Sequence, residues 1–217
     1  MASREITNGA RPRVALLFPE QDRTAGWMLG RAFVNDPLLR AIVGDEPAHN
    51  RAQRMGRLFG VILRSHRRDG QPILGVINQG RVAGAAIIEQ VGRPAGGWVT
   101  AIAGLPLVPA MIKAVGLSGV RRALIVVDEL ARNRPPEPHL YLTILGVEPA
   151  LQGRHYGVAL LDYLREQASL RQDLVGVYLE TATAANVAYY TKAGYETIGE
   201  IAPLGVRVWR MLQRRTT

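Results

Sequence analysis

The run Leu145-Gly146-Val147-Glu148-Pro149-Ala150-Leu151-Gln152-Gly153-Arg154-His155-Tyr156-Gly157 joins an apolar stretch to an amphipathic one. A strand-to-helix junction of this kind aims consecutive backbone N–H groups and the positive end of the helix dipole at one point. Gly153 and Gly157 would let the backbone approach an anion, and Arg154 adds a cation. The chemistry suited to that cradle is binding of a diphosphate; the competing reading is a purely structural turn. Neither G-x-x-x-x-G-K-S/T nor G-x-G-x-x-G occurs, so the usual support for nucleoside triphosphate and dinucleotide sites is missing. A second group lies downstream: Glu180 in Tyr178-Leu179-Glu180-Thr181, then Asn186, Tyr189 and Tyr190. A phenol can donate a proton and a carboxylate can accept one or hold a cation. The bland alternatives are tyrosines that only pack, a Glu180 that pairs with an Arg, and an Asn186 that caps a helix. Glu137 and His139 are weaker candidates for a base.

Other chemistries are poorly supported. His49, His66, His139 and His155 lack metal-ligand spacing, and neither Ser65 nor Ser118 stands in G-x-S-x-G. Without cysteine there is no disulfide, thiolate metal site or Cys nucleophile.

The elements that must position these groups follow from periodicity. Arg13 to Phe18 reads as a short strand stopped by Pro19, and residues 22–35 as helical. From Glu46 to Arg68, Ala52, Met55, Leu58, Phe59 and Ile62 form one apolar stripe beneath Arg51, Arg54, Arg57, Arg64, Arg67 and Arg68, which read as a solvated face. Ile73 to Asn78 and Val82 to Glu89 are β-rich runs around the turn Gln79-Gly80-Arg81. Residues 91–134 read as a helical insertion, broken near Gly116 to Gly119, that could wall a pocket, pack, or form a dimer interface. After the stiff connector Pro135-Pro136-Glu137-Pro138, His139 to Val147 reads as a central strand, apolar on both faces. Gly157, Leu160, Leu161, Leu164 and Ala168 stripe a helix. A strand at 175–181, a short helix at 185–193 and a hairpin of 195–201 with 206–212 complete the chain. The fold class is α/β: a mixed central sheet of about six to seven strands with helices on both faces.

The 217 residues suit a single domain with a sizeable core. No apolar stretch reaches the roughly 18 residues needed to span a bilayer, and the first residues lack a signal-peptide core, so a cytoplasmic protein with no membrane partner is expected. The net charge of +9 suits an anionic partner, yet all basic residues except Lys113 and Lys192 are Arg, a bias that also fits GC-rich coding. The Arg cluster has no interleaved aromatic platform and alternates with an apolar helical stripe, which argues against nucleic acid.

Val147-x-Pro149-x-x-Gln152-x-x-His155-x-Gly157 resembles the acyl-CoA motif of the GNAT (Gcn5-related N-acetyltransferase) superfamily, usually V-x-P-x-x-R/Q-x-x-G-x-G/A. The strand Tyr178 to Thr181 followed by Asn186 and Tyr190-x-x-x-Gly194-Tyr195 is similar to its second motif, in the correct order. The Pro-x-Glu-Pro lead-in, the Leu-Glu-Thr strand and Val208-Trp209-Arg210-Met211 resemble puromycin N-acetyltransferase-like members. The resemblance implies a GNAT fold spanning 1–217, with residues 139–213 as the cofactor-binding and catalytic half. It implies acetyl-CoA as cofactor, held by Leu145, Gly146, Val147, Gln152, Gly153, Arg154, His155, Tyr156, Gly157, Val158 and Asn186. Catalytic roles fall to Tyr190 as acid, Glu180 as base and the Val147 N–H as oxyanion donor, for direct acetyl transfer to a primary amine of a small molecule. One position departs from the motif: His155 replaces its first glycine. The alternative is a degenerate fold serving as an acyl-CoA sensor or a basic nucleic-acid-binding module.

Overall fold

The computed structural model describes residues 12–91 and 107–215. Its elements are β1 (Val14–Leu16), α1 (Asp22–Ala32), α2 (Pro37–Val43), α3 (Ala48–Arg68), β2 (Ile73–Asn78), β3 (Arg81–Val91), α4 (Val108–Arg132), β4 (His139–Val147), α5 (Tyr156–Ser169), β5 (Gly176–Thr181), α6 (Ala184–Lys192), β6 (Glu196–Ile201) and β7 (Val208–Arg214). The strands form one seven-stranded sheet in the order β1-β2-β3-β4-β5-β7-β6. Every neighbouring pair is antiparallel except β4 with β5, which is parallel. The expected mixed α/β sheet is present, with the expected strand His139–Val147 at its centre.

Two cores sandwich the sheet. On one face α1, α3 and α4 contribute Met28, Leu29, Met55, Phe59, Met111 and Val127 to a cluster that includes Ile87 and Ile144. On the other, Leu160, Leu161, Leu164 and Ala168 of α5 pack on Leu140, Leu142 and Leu179. The stripe anticipated for α5 is its buried face. The β2–β3 turn is tight because Gln79 (φ 48°) and Gly80 (φ 72°) both adopt left-handed backbone, as a two-residue hairpin demands.

Three features depart from expectation. α2 was not anticipated, although its start is marked: Asp36 accepts from the Leu39 N–H at 2.9 Å, and Pro37 occupies the first helical position. α1 ends at Ala32, short of the 35 expected. Arg51 is not on a solvated face; it is buried and donates to the carbonyls of Val34 (2.7 Å) and Glu46 (2.6 Å). The loops flanking α2 leave carbonyls without ladder partners, and a buried guanidinium supplies the donors. Arg67 is likewise engaged, by Asp22 at 2.6 Å, and half-buried Arg54 pairs with Glu46 and donates to the Ala114 carbonyl at 3.2 Å, whereas Arg57, Arg64 and Arg68 are exposed.

The insertion is helical where it is described, and its break falls at Gly116 (φ 72°, ψ 169°); residues 92–106 lie outside the described residues. α1 meets α3 through glycines. A Cβ on Gly30 would stand 2.6 Å from both the Ala52 carbonyl oxygen and the Gly56 nitrogen. Gly30→Val is therefore expected to force the helices apart and destabilise the fold by about 3 kcal/mol or more. A lowered denaturation midpoint in urea checks this; an unchanged midpoint would show that the helix pair can yield.

Candidate active site

The central parallel pair is short. β4 and β5 are in register only at Leu140–Leu142 with Val177–Leu179, and beyond Leu142 the strands part. A bulge in β4 sits at the same place: Ile87 faces Ile144 while Ile88 faces Leu142, leaving Thr143 as the extra residue. The ladder to β3 fixes where the following backbone groups point. Val147 lies opposite Gly84, and the Glu148 N–H donates to the Ala83 carbonyl at 2.8 Å. Gly84 and Val147 are therefore a non-hydrogen-bonded pair, so the Val147 N–H and C=O point away from β3, and by alternation so do those of Leu145. Both residues aim at the gap left by β5. Gln152 Nε2 donates to the Val147 carbonyl at 3.2 Å from the far side of that gap.

The gap opens into an outer cleft of about 630 Å3 lined by Leu145, Gly146, Val147, Gln152, Gly153, His155, Tyr156, Gly157, Val158 and Asn186. Ten of the eleven residues proposed to hold a cofactor are thus brought together; Arg154 is exposed and is not among the lining residues. His155 is the N-cap of α5 in left-handed conformation (φ 62°, ψ 9°), the conformation a glycine would supply at no cost. It makes no side-chain cap bond, so the first turn of a 14-residue helix faces the cleft uncapped. Gly153 also has positive φ, with open space where a Cβ would sit. Gly146 and Gly157 answer to packing as well: a Cβ there would stand 2.6 Å from Leu29 Cδ2 and 2.7 Å from the Tyr189 hydroxyl, respectively.

Behind the cleft lies an inner chamber of about 120 Å3 on the α1/α3 face of the sheet. Phe33, Asp36, Leu145, Asn186 and Tyr190 line both spaces and form the passage between them. Tyr190 is buried, with its ring 5.3 Å from that of Tyr189 and 5.6 Å from that of Tyr195. Burial, then Tyr189 and Asp36, pushes its phenol above the usual range, so it stays protonated. Asn186 does not cap α6; Thr183 does, accepting from the Asn186 N–H at 3.3 Å, which leaves the Asn186 side chain on the passage.

Glu180 lines the inner chamber. Burial raises its carboxyl to about 6, against the opposing influence of Tyr141, Arg134, Tyr178 and Arg210. The alternative of a simple Glu–Arg pair is not seen among the described residues. Arg134 lies 3.7 Å from Glu89 and over the Tyr141 ring, and Arg210 donates to the Asn133 carbonyl. Glu180 Oε1 is buried without a hydrogen-bond partner among the described residues. His139 is fully buried, with Nδ1 2.7 Å from the Glu137 carbonyl oxygen, and lines neither space; Glu137 is exposed.

The sequence reading missed Asp36, Arg134, Tyr141 and Thr143 as chamber residues. The alternation His139-Leu140-Tyr141-Leu142-Thr143 was the available signal. It sets one polar-edged face against one aliphatic face, where a strand apolar on both sides was expected.

Residues 115–195 match the acetyltransferase (GNAT) family model. Among solved structures, the fold is similar to histone acetyltransferase HPA2 and related acetyltransferase from Corynebacterium glutamicum (20% identity, TM-score 0.70, 96% of this chain and 98% of that one). It is similar to arylalkylamine N-acetyltransferase 2 from Aedes aegypti (15%, 0.66, 94% and 99%). It is also similar to Naa20 from Chaetomium thermophilum, solved in complex with a bisubstrate analogue (14%, 0.54, 93% and 86%). The fold is that of the GNAT acetyltransferases, in the α/β form expected. No helix among the described residues is long and apolar enough to cross a membrane.

Proposed function

We propose that this chain is a GNAT-type N-acetyltransferase that moves acetyl from acetyl-CoA directly to a primary amine of a small molecule. The observation that carries this reading is the parted β4–β5 pair, where the Leu145 backbone groups and the Val147 N–H, turned away from β3, run from the uncapped start of α5 to the chamber holding Glu180. An extended amide-bearing arm can pair with such a strand edge, and a diphosphate suits an uncapped helix start. The residues present fit that cofactor: Leu145, Gly146 and Val147 for the arm; Gln152, Gly153, His155, Tyr156, Gly157 and Val158 for the phosphates; Asn186 at the passage. Arg154 would act from the rim as a charge. The further likeness to puromycin N-acetyltransferase-like members rests on short sequence runs alone.

When bound, the thioester supplies the acetyl group: its carbonyl carbon bonds to the amine nitrogen, its C–S bond breaks, and a thiolate leaves. Glu180 takes a proton from the substrate ammonium so that a neutral nitrogen attacks. The Val147 N–H donates toward the carbonyl oxygen, on which charge develops. Tyr190 holds its proton at the passage, where it can donate to the departing sulfur. The balance is ammonium plus thioester giving amide, thiol and one released proton.

Calorimetric titration with acetyl-CoA, on the native chain and on Val147→Pro, tests the cofactor placement. The Val147 N–H is not used in the β3 ladder, so proline removes a donor from the gap without removing a sheet bond. We expect binding by the native chain and at least tenfold weaker binding by the folded variant. Equal affinities would remove Val147 from the site.

A further inference from the structure

We infer that the acceptor is a compact, hydrophobic primary amine, its ammonium group at Glu180 and its apolar body seated between α2, α3 and α4. The inference rests on the transfer reading above and names the substrate class it would serve.

The chamber divides its chemistry by position. Its walls are aliphatic and aromatic, with Leu39 and Ile42 from α2, Leu58 and Phe59 from α3, and Val126 and Leu130 from α4. Asp36 and Asn186 stand at the passage and Arg134 just before β4, while on the sheet floor Thr143 Oγ1 and Glu180 Oε1 are both buried without a hydrogen-bond partner among the described residues. Buried acceptors left unpaired are costly, and native structures rarely carry them without a ligand or ordered water to supply donors. An alkylammonium presents three N–H donors at one end and no polar atom at the other. A sugar amine would press hydroxyls against the apolar walls, and a polyamine would place a second charge there, each left unsatisfied.

Charge and size point the same way. The whole chain carries +9, which by itself repels a cation. Exposed charges are screened over about 10 Å in ordinary buffer, whereas buried ones are screened much less, so local groups decide. Asp36 and Glu180 are the carboxylates lining the chamber; the cation among its lining residues, Arg134, lies 3.7 Å from Glu89 and over the Tyr141 ring, and it offsets only part of the negative charge of Glu180, whose carboxyl burial still raises to about 6. The chamber has about a fifth of the volume of the outer cleft, which favours a small body over a peptide chain.

The test is release of free thiol from acetyl-CoA with a graded panel of amines: n-alkylamines from ethylamine to hexylamine, 2-phenylethylamine, spermidine, glucosamine and an alanyl peptide. Burial of each added methylene should raise kcat/KM about fourfold until the chamber is full. 2-Phenylethylamine should exceed spermidine and glucosamine by at least 100-fold at matched concentrations of free amine. Ala123 is buried on the chamber wall, so Ala123→Phe should lower kcat/KM for hexylamine at least tenfold more than for ethylamine; an equal loss for both counts against the chamber as the seat of the alkyl body. A flat alkyl series, or equal turnover of glucosamine, spermidine or the peptide, overturns the inference and leaves acetyl transfer standing. Acetyl-CoA binding with no turnover of any amine overturns it too. Absence of both binding and turnover defeats the transfer reading and this inference with it.

Discussion

Replacing Glu180 by Gln is expected to lower kcat/KM for amine acetylation by roughly 10²–10⁴-fold, the range spanned by loss of a positioned base. The same change should abolish a pH dependence. With its carboxyl at about 6, Glu180 in the native enzyme is protonated below that pH and cannot take the ammonium proton. The native kcat/KM should therefore fall about tenfold per pH unit below 6, and this limb should vanish in the variant. Stability should move in the opposite direction. The folded value lies above the reference of 4.5 because burial disfavours the charge, so the protonated carboxyl favours folding. That contribution is fully present below about 4.5 and lost as pH rises through about 6. At one and a half units it is worth at most about 2 kcal/mol. Glu180→Gln should thus match the native chain in stability at pH 4 and exceed it by up to about 2 kcal/mol at pH 8. A structural Glu180 would show the reverse: a variant that melts earlier at pH 8 and keeps its activity. Urea denaturation at the two pH values, beside a pH–rate profile, separates the two.

The sequence exposed most of the framework because most of it obeys a single period. The α5 stripe, the α3 stripe and the β2–β3 hairpin each have one buried face or one forced turn, and local pattern suffices for them. The site is different because it depends on a broken period. A strand read strictly in twos places Leu142, Ile144 and Gly146 on one face. The Thr143 bulge flips that phase, sending Ile144 to the α1/α3 core while Leu145 packs against the α5 core. Nothing in the residue string marks a bulge between Leu142 and Ile144, so the unpaired strand edge it helps to create was legible only through family resemblance. Asp36 escaped for another reason. A seven-residue helix is too short for periodicity to speak, and the cap-plus-proline signal that announces it also fits an ordinary turn. Arg51 shows the limit of composition: one arginine in six on a basic stripe is a buried staple for loop carbonyls, and its neighbours give no hint of which one.

Tyr190→Phe is expected to lower kcat by about 100-fold while leaving acetyl-CoA affinity within twofold, as removal of a group needed only when the sulfur departs should do. Its location argues for this: Tyr190 lines both the outer cleft and the inner chamber, where the two substrates would meet. Magnitudes decide the manner in which it acts. A free thiol ionises near 8.5, and burial holds the Tyr190 phenol above its ordinary value of 10, so outright transfer to a fully formed thiolate in water would run uphill by more than one unit. The donation must therefore occur while the C–S bond is breaking, in a site where desolvation raises the basicity of sulfur too. Because the phenol does not titrate in the working range, the ratio of native to variant kcat should stay flat from pH 6 to 9; a ratio that grows with pH would instead make Tyr190 a base. Tyr189 provides the internal control. It lines the outer cleft with its hydroxyl against Gly157 and does not line the chamber, so Tyr189→Phe should keep kcat within about threefold. If Tyr189→Phe carries the larger loss, the acid is the neighbouring phenol, and the passage between the two spaces is not where the sulfur leaves.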